Sequence, residues 1–272
     1  MFQVLISAVL MISCNAVSAA ETAFDRTHAS WGELVEKYVH WNAQGTTTQV
    51  DYAGFKVDSE QLSDYLNQLS GVSRREFRDW PKGDQDAFLI NAYNAATVQL
   101  VLTRYPDLTS IKDLGRLFSS PWKKQVLDLL GQSRSLDVIE HELLRGGPDF
   151  SDPRVHFAVN CASIGCPALR AEAYVGSRLD AQLEDQTRRF LRDRSRNHLD
   201  DSRDQLVISK VFDWYAEDFA AHSGGIRGFL GSRGEALELD ETLLRQLRDG
   251  ELAIGFGEYD WTLNQTHSEN AQ

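Results

Sequence analysis

Apolar residues recur along this chain at helical spacing far more often than they alternate. Ser30-Trp31 opens one stripe through Leu34, Val35, Tyr38 and Val39, with Ser30 as its cap. Ser59 to Leu69 predicts a second helix, with Leu62, Tyr65, Leu66 and Leu69 on one face. Ser73 begins a further region around Phe77. The strongest pattern runs from Asp84 to about Tyr105, carries Phe88, Leu89, Ala92, Ala95, Ala96, Val98 and Val101-Leu102, and stops before Pro106. Shorter helices are predicted from Ser135 to Arg145, ended by Gly146-Gly147-Pro148, then at Leu179–Leu191, Val211–Phe219 and Leu243–Leu247.

Strand signals are few. Thr46 to Tyr52 is β-branched and reads as a strand or extended loop, while Leu206-Val207-Ile208 and Ala253–Phe256 read as short strands. Alternation at Val155, Phe157 and Val159 predicts a strand from His156 to Asn160. With no repeat, no low-complexity block and no βαβ alternation, the expected class is α+β: a helix-rich single domain with a small sheet of about three to four short strands.

The first twenty residues stand apart. Val4 to Ile12 is an apolar run shorter than the roughly 20 residues that span a bilayer, and small residues follow at Ala16, Ser18, Ala19 and Ala20. This predicts a signal peptide over 1–20 and an exported, periplasmic or secreted protein, with lipid attachment at Cys14 as the alternative. Residues 21–44 then form an N-terminal helical segment, and 266–272 a polar, disordered tail. Forty acidic against twenty-eight basic residues give a net charge of −12. Such a surface repels nucleic acid and anionic lipid, so neither is expected as a partner, and no stable membrane span is expected. The expected partner is a small molecule or peptide; the sequence does not specify an oligomeric state.

Chemistry concentrates in Arg154 to Pro167, which holds two of the three cysteines, Cys161 and Cys166, with His156, Asn160 and Ser163. On a strand His156 and Cys161 face opposite ways, so they meet only if the chain turns at Cys161. A nucleophilic thiol needs a base or a helix N-terminus to hold its thiolate, which a histidine or a helix starting near Ser163 would supply. In an oxidising compartment the same two cysteines are also a natural disulfide pair. C-x4-C lacks the second pair of a zinc site, so no metal and no cofactor is assigned. His141, between Glu140 and Glu142, is a rival base. Asn91 and Asn94, three apart on the long apolar helix, need buried partners and serve either to anchor backbone or to orient a catalytic group. Asp260 is a candidate third member that would orient a histidine. Cys161, His156, His141, Asn91 and Asn94 are thus the catalytic candidates, with Cys166, Asn160 and Ser163 as substrate-binding candidates.

These motifs coincide in one family. Ala87-Phe88-Leu89-Ile90-Asn91-Ala92-Tyr93-Asn94-Ala95, Ser135 to His141, His156 to Pro167, Ser209-Lys210-Val211-Phe212 and Tyr259 to Asn264 together resemble the domain of unknown function 547, over residues 45–265. The resemblance implies a shared fold group and places Asn91, Asn94, His141, His156, Cys161 and Cys166 at the family's motif positions. The family's name carries no activity. A cysteine-dependent hydrolase or acyl transferase acting on an amide or ester is the first functional expectation, and a non-enzymatic envelope binding protein with a Cys161–Cys166 disulfide the second. Papain-like and transglutaminase-like enzymes put their histidine after the cysteine, whereas both candidate histidines here precede it.

Overall fold

The computed structural model describes residues 23–115, 120–146, 152–202 and 204–266. The proposed leader, Cys14, the Gly147-Pro148 helix stop and residues 267–272 of the tail lie outside those residues. Helices dominate, as the patterning predicts, and among the described residues the short strands fall into three small sheets rather than the one expected.

Helix α1 (Ala29–Tyr38) leads into a hairpin of β1 (Val39–Trp41) and β2 (Thr48–Val50), paired antiparallel with Val39 opposite Val50. The α1 entrance differs from expectation. Asp25 accepts the backbone N–H groups of Thr27 and Ala29, while Ser30 lies inside the helix. Then come α2 (Tyr52–Val57), α3 (Ser59–Gly71), α4 (Arg74–Arg78) and α5 (Lys82–Leu102). From Ala87 to Val98 every residue of α5 is buried, so this helix has no solvent face and serves as the central post of the first hydrophobic cluster. Strands β3 (Gln125–Leu129) and β4 (Gln132–Ser135) form a second hairpin, closed by Leu130 and Gly131, both at positive φ.

Ser135 caps α6 (Leu136–Val138), which widens into a π-helical turn over Ile139–Leu144; the Arg145 N–H donates to the Glu140 carbonyl at 3.0 Å. After α7 (Leu179–Arg192), β5 (His198–Leu199) pairs antiparallel with β6 (Gln205–Ile208), which pairs parallel with β7 (Ala253–Phe256). Between β6 and β7 lie α8 (Val211–Trp214), α9 (Ala216–His222), α10 (Gly225–Gly231) and α11 (Glu241–Asp249). These helices, with α7 and β6, enclose a second cluster built on Phe157, Phe190, Phe212, Phe219 and Phe229. No described helix is long and apolar enough to cross a membrane.

Two expected elements are different. The strand at His156–Asn160 is a 3-10 helix over Pro153–Phe157, capped by Asp152 and opened by Pro153. Val155, Ala158 and Val159 pack in the first cluster while Phe157 enters the second. The segment is buried on all sides, so its apparent alternation never separated a core face from a solvent face. The helix expected over Val211–Phe219 breaks at Tyr215, between α8 and α9.

From Ala158 to Val175 the backbone is neither helix nor strand, yet most of it is buried. Buried peptide groups must be hydrogen-bonded, and here side chains supply what a sheet would. Asn91 donates to the Tyr174 carbonyl at 2.7 Å and accepts the Tyr174 N–H at 3.0 Å. Asn94 donates to the Ala158 carbonyl at 3.0 Å and accepts the Asn160 N–H at 2.8 Å. Gln182 bonds Ala173 and Val175, Gln186 bonds Ala168, and Thr48 bonds Leu169. Both helix asparagines therefore anchor backbone, the first of the two roles their spacing suggested, and neither touches the Cys161 sulfur.

Asn94→Ala would strand a buried carbonyl and a buried N–H, each costing about 1–3 kcal/mol. We expect a loss of about 3 kcal/mol in urea unfolding, against less than about 0.5 kcal/mol for the exposed Glu251→Ala. Equal stability of the two variants would show that the clamp is dispensable.

Candidate active site

The cysteine loop is a tight turn rather than a helix start. The Asn160 side chain accepts the Ala162 N–H at 2.9 Å and donates to the Pro167 carbonyl at 2.7 Å, so it staples both ends of the loop. Ala162 takes φ 60°, the left-handed region, which costs a non-glycine residue about 1–2 kcal/mol. The strain is carried immediately after the candidate nucleophile, where it turns the chain sharply. The loop is also laced to the C-terminal segment: the Ile164 and Gly165 N–H groups donate to the Thr262 and Asp260 carbonyls, each at 2.8 Å. A Cβ on Gly165 would sit 3.0 Å from Asp260 backbone and from the Tyr259 ring. Only glycine allows Tyr259 so close.

That approach sets the environment of Cys161. Its Sγ lies 3.0 Å from the Tyr259 hydroxyl and 3.2 Å from Ser163 Oγ, and those two oxygens are 3.0 Å apart. Cys161 and Cys166 are both free thiols, and the Cys161 backbone N–H donates to Cys166 Sγ at 2.8 Å. Burial pushes the Cys161 thiol up, but hydrogen bonds from Cys166, Ser163 and Tyr259 outweigh it and leave the thiol below its ordinary value. Cys166 goes the other way: burial and the neighbouring Cys161 hold its proton firmly. Burial, and then the Cys161 charge, push Tyr259 well above the usual phenol range, so it remains an O–H donor. Of the two thiols, Cys161 therefore gives up its proton more readily and Cys166 holds its own.

The hydrogen-bond partners of the Cys161 sulfur are two hydroxyls and a thiol; neither candidate histidine is among them. His156 is buried behind the site. Its Nε2–H donates to Asp218 Oδ2 at 2.7 Å, and its ring stacks on Tyr215 with centroids 3.7 Å apart. Burial lowers its basicity more than Asp218 raises it. Asp218 also accepts from Arg145 Nε at 2.7 Å; burial would raise its pKa, but His156 and Arg145 hold it well below the carboxylate range. Asp218, not Asp260, thus orients a histidine: Asp260 is exposed and accepts the Thr262 N–H at 2.8 Å. His141 is half-exposed, and its Nδ1 accepts from Arg145 Nη1. That contact occupies the lone pair a base would use and places the proton on Nε2, 3.8 Å from Asp137.

Between the thiol and His141 lies a cavity of about 330 Å³, lined by Tyr93, Ser120, Trp122, Asp137, Glu140, His141, Cys161, Trp214, Tyr215 and Trp261. Glu140 is the residue that sequence reading passed over. It lies four residues after Leu136, at the edge of the buried stripe of the helix. The π turn brings Leu144 into the core after Ile139, and Glu140 is only 6% exposed, where it accepts the Tyr215 hydroxyl at 2.5 Å. Tyr215 reaches it because the helix breaks there. Tyr93, on the inner face of α5, is held as a neutral phenol by burial and by the charges of Glu140 and Cys161. Among the described residues, no group of three or more His, Cys, Asp or Glu side chains is placed to hold a metal ion.

The hydrogen-bonded thiolate makes a prediction in pH. Alkylation of Cys161 by iodoacetamide should titrate below the ordinary thiol midpoint, and Tyr259→Phe, which removes a donor to the charged form, should raise that midpoint by about one unit, or about 1.4 kcal/mol. His141→Gln should leave the midpoint where it is. A midpoint that follows His141 instead would restore a thiol–imidazole pair.

Comparison with known proteins bears on a defined part of this arrangement. No curated protein and no solved structure matches the chain. Residues 77–191 match the family described as "Protein of unknown function, DUF547". That span is narrower than the 45–265 suggested by the motifs; it holds α5, the π turn and both cysteines, and leaves out Tyr215, Asp218 and Tyr259. Residues 77–191 of this chain thus form a DUF547 region.

Proposed function

We propose that the protein is an exported cysteine-dependent hydrolase or acyl transferase acting on an ester or amide, with Cys161 as its nucleophile. The observation that carries this reading is the sulfur itself, held by Tyr259 and Ser163 and lowered in pKa at the wall of the cavity. A thiolate so placed adds to an acyl carbon, forming a C–S bond as the C–O or C–N bond breaks; the leaving group takes its proton from solvent in the open cleft. Water or an incoming alcohol or amine then releases the acyl group. Tyr93, a neutral O–H facing the same space, is the residue best suited to meet the oxyanion. His156 acts as a positioning residue through its stack on Tyr215 and thence Glu140. Export rests on the apolar run Val4–Ile12 and the small residues after it.

The test uses an activated ester, p-nitrophenyl acetate. Cys161→Ala should abolish both the burst of nitrophenol and turnover. Tyr93→Phe should keep the burst stoichiometry but lower its rate about 100-fold. Burst kinetics that survive Cys161→Ala would end the proposal.

The second reading is a non-enzymatic envelope binding protein with a Cys161–Cys166 disulfide. The 2.8 Å contact between the Cys161 N–H and the Cys166 sulfur favours it, since it keeps the two residues close. Thiol titration of unreduced mature protein from its native compartment separates the two: two free thiols remove the disulfide, and none removes the nucleophile.

A further inference from the structure

The wall facing Cys161 has a composition of its own. Trp122, Trp214 and Trp261 come from three distant parts of the chain and converge there: Trp261 lies 5.7 Å from Trp122 and 5.7 Å from Trp214, centroid to centroid. Trp214 is 45% exposed, a large aromatic face with solvent in front of it. Two carboxylates, Asp137 and Glu140, line the same cavity beside His141 and Cys161. Among the described residues, no lysine or arginine lines it. Arg145 sits behind His141 and pairs with Asp218, while Asp137 lies 3.8 Å from His141 Nε2 and Glu140 accepts the Tyr215 hydroxyl. Aromatic faces attract cations through the ring quadrupole, and carboxylates add charge and accept N–H donors. The wall also carries one alkylammonium of the chain's own: Lys112 Nζ lies 3.7 Å over the Trp261 ring.

We propose that this cleft recognises a primary alkylammonium group, of the kind that ends a lysine side chain or a polyamine, so that the compound presented to Cys161 is cationic. This rests on the thiol reading for what happens next, but not for the binding itself. A primary ammonium suits the site better than a quaternary one because Asp137 and Glu140 can accept its N–H groups. A neutral sugar would use the tryptophan faces but gain nothing from the carboxylates. The size fits too: about 330 Å³ admits a short aliphatic amine and the start of whatever it is attached to.

The experiment is a titration of intrinsic tryptophan fluorescence on the full chain, wild type and Cys161→Ala, at constant ionic strength. The probes are n-butylammonium, n-butanol and methyl glucoside. Butylammonium should bind at least tenfold more tightly than either neutral probe to both proteins, and Asp137→Asn should weaken it about tenfold. If butanol or the glucoside binds as tightly as butylammonium, the cationic ligand is ruled out. Iodoacetamide labelling of the wild type is run alongside. Selective amine binding without fast Cys161 labelling would keep the ammonium site and remove the nucleophile; fast labelling without selectivity would do the reverse.

Discussion

The structure depends on one constraint: an irregular stretch of chain, Ala158 to Val175, must pass through the interior with its peptide groups satisfied. No sheet is available to do this, and a helix would not present the cysteine loop. The amides of Asn91, Asn94, Asn160, Gln182 and Gln186 do it instead, each offering a donor and an acceptor on one planar group that mimics a peptide unit. Arg196 adds donors to the carbonyls of Ile164, Gly165 and Cys166 from the solvent side. The loop that carries Cys161 is rigid because its neighbours are amides bonded at both ends, even though it belongs to no regular element.

That rigidity lets the site hold an arrangement of unfavourable parts. Ala162 is in the left-handed region, Glu140 and His156 are buried, and two thiols lie together with Cys166 buried and Cys161 at the cavity wall. Each would relax in a softer frame. Here the polar groups answer one another: Arg145, Asp218 and His156 form one chain, Tyr215 and Glu140 another, joined by the stacked rings of His156 and Tyr215. Removing one partner from such a network leaves the next one buried and unpaired, which is why its members act as a unit.

Much of this was legible in the sequence, for identifiable reasons. Long, periodic helices such as α3, α5 and α7 announce themselves, and two asparagines on the buried α5 had to have partners. The cysteine loop stood out by composition. What escaped did so where local pattern and tertiary setting part company. His156–Asn160 read as a strand because residues buried on every side carry no face to read. Glu140 was overlooked because a carboxylate at a stripe's edge reads as solvent-facing, although it stands four residues after the buried Leu136. Tyr259 reaches the sulfur from nearly a hundred residues away, and Asp218 takes the role that Asp260 had seemed to offer. Long-range partners of this kind are set by topology, which the order of the elements alone did not resolve.

The π turn has a consequence for how this fold can diversify. One residue more than an α-helix needs is housed between Ile139 and Arg145, and that surplus sets where Leu144 and Arg145 fall. Deleting a single codon there would let the helix close to ordinary pitch, with Leu136, Ile139 and the hairpin before them undisturbed. Residues after the deletion would turn by about 100° about the helix axis, so Arg145 would leave its place beside His141 and Asp218. The pitch of one turn thus sets the network around Asp218, whereas the cysteine loop rests on amide clamps from other parts of the chain, Asn91, Asn94 and Asn160.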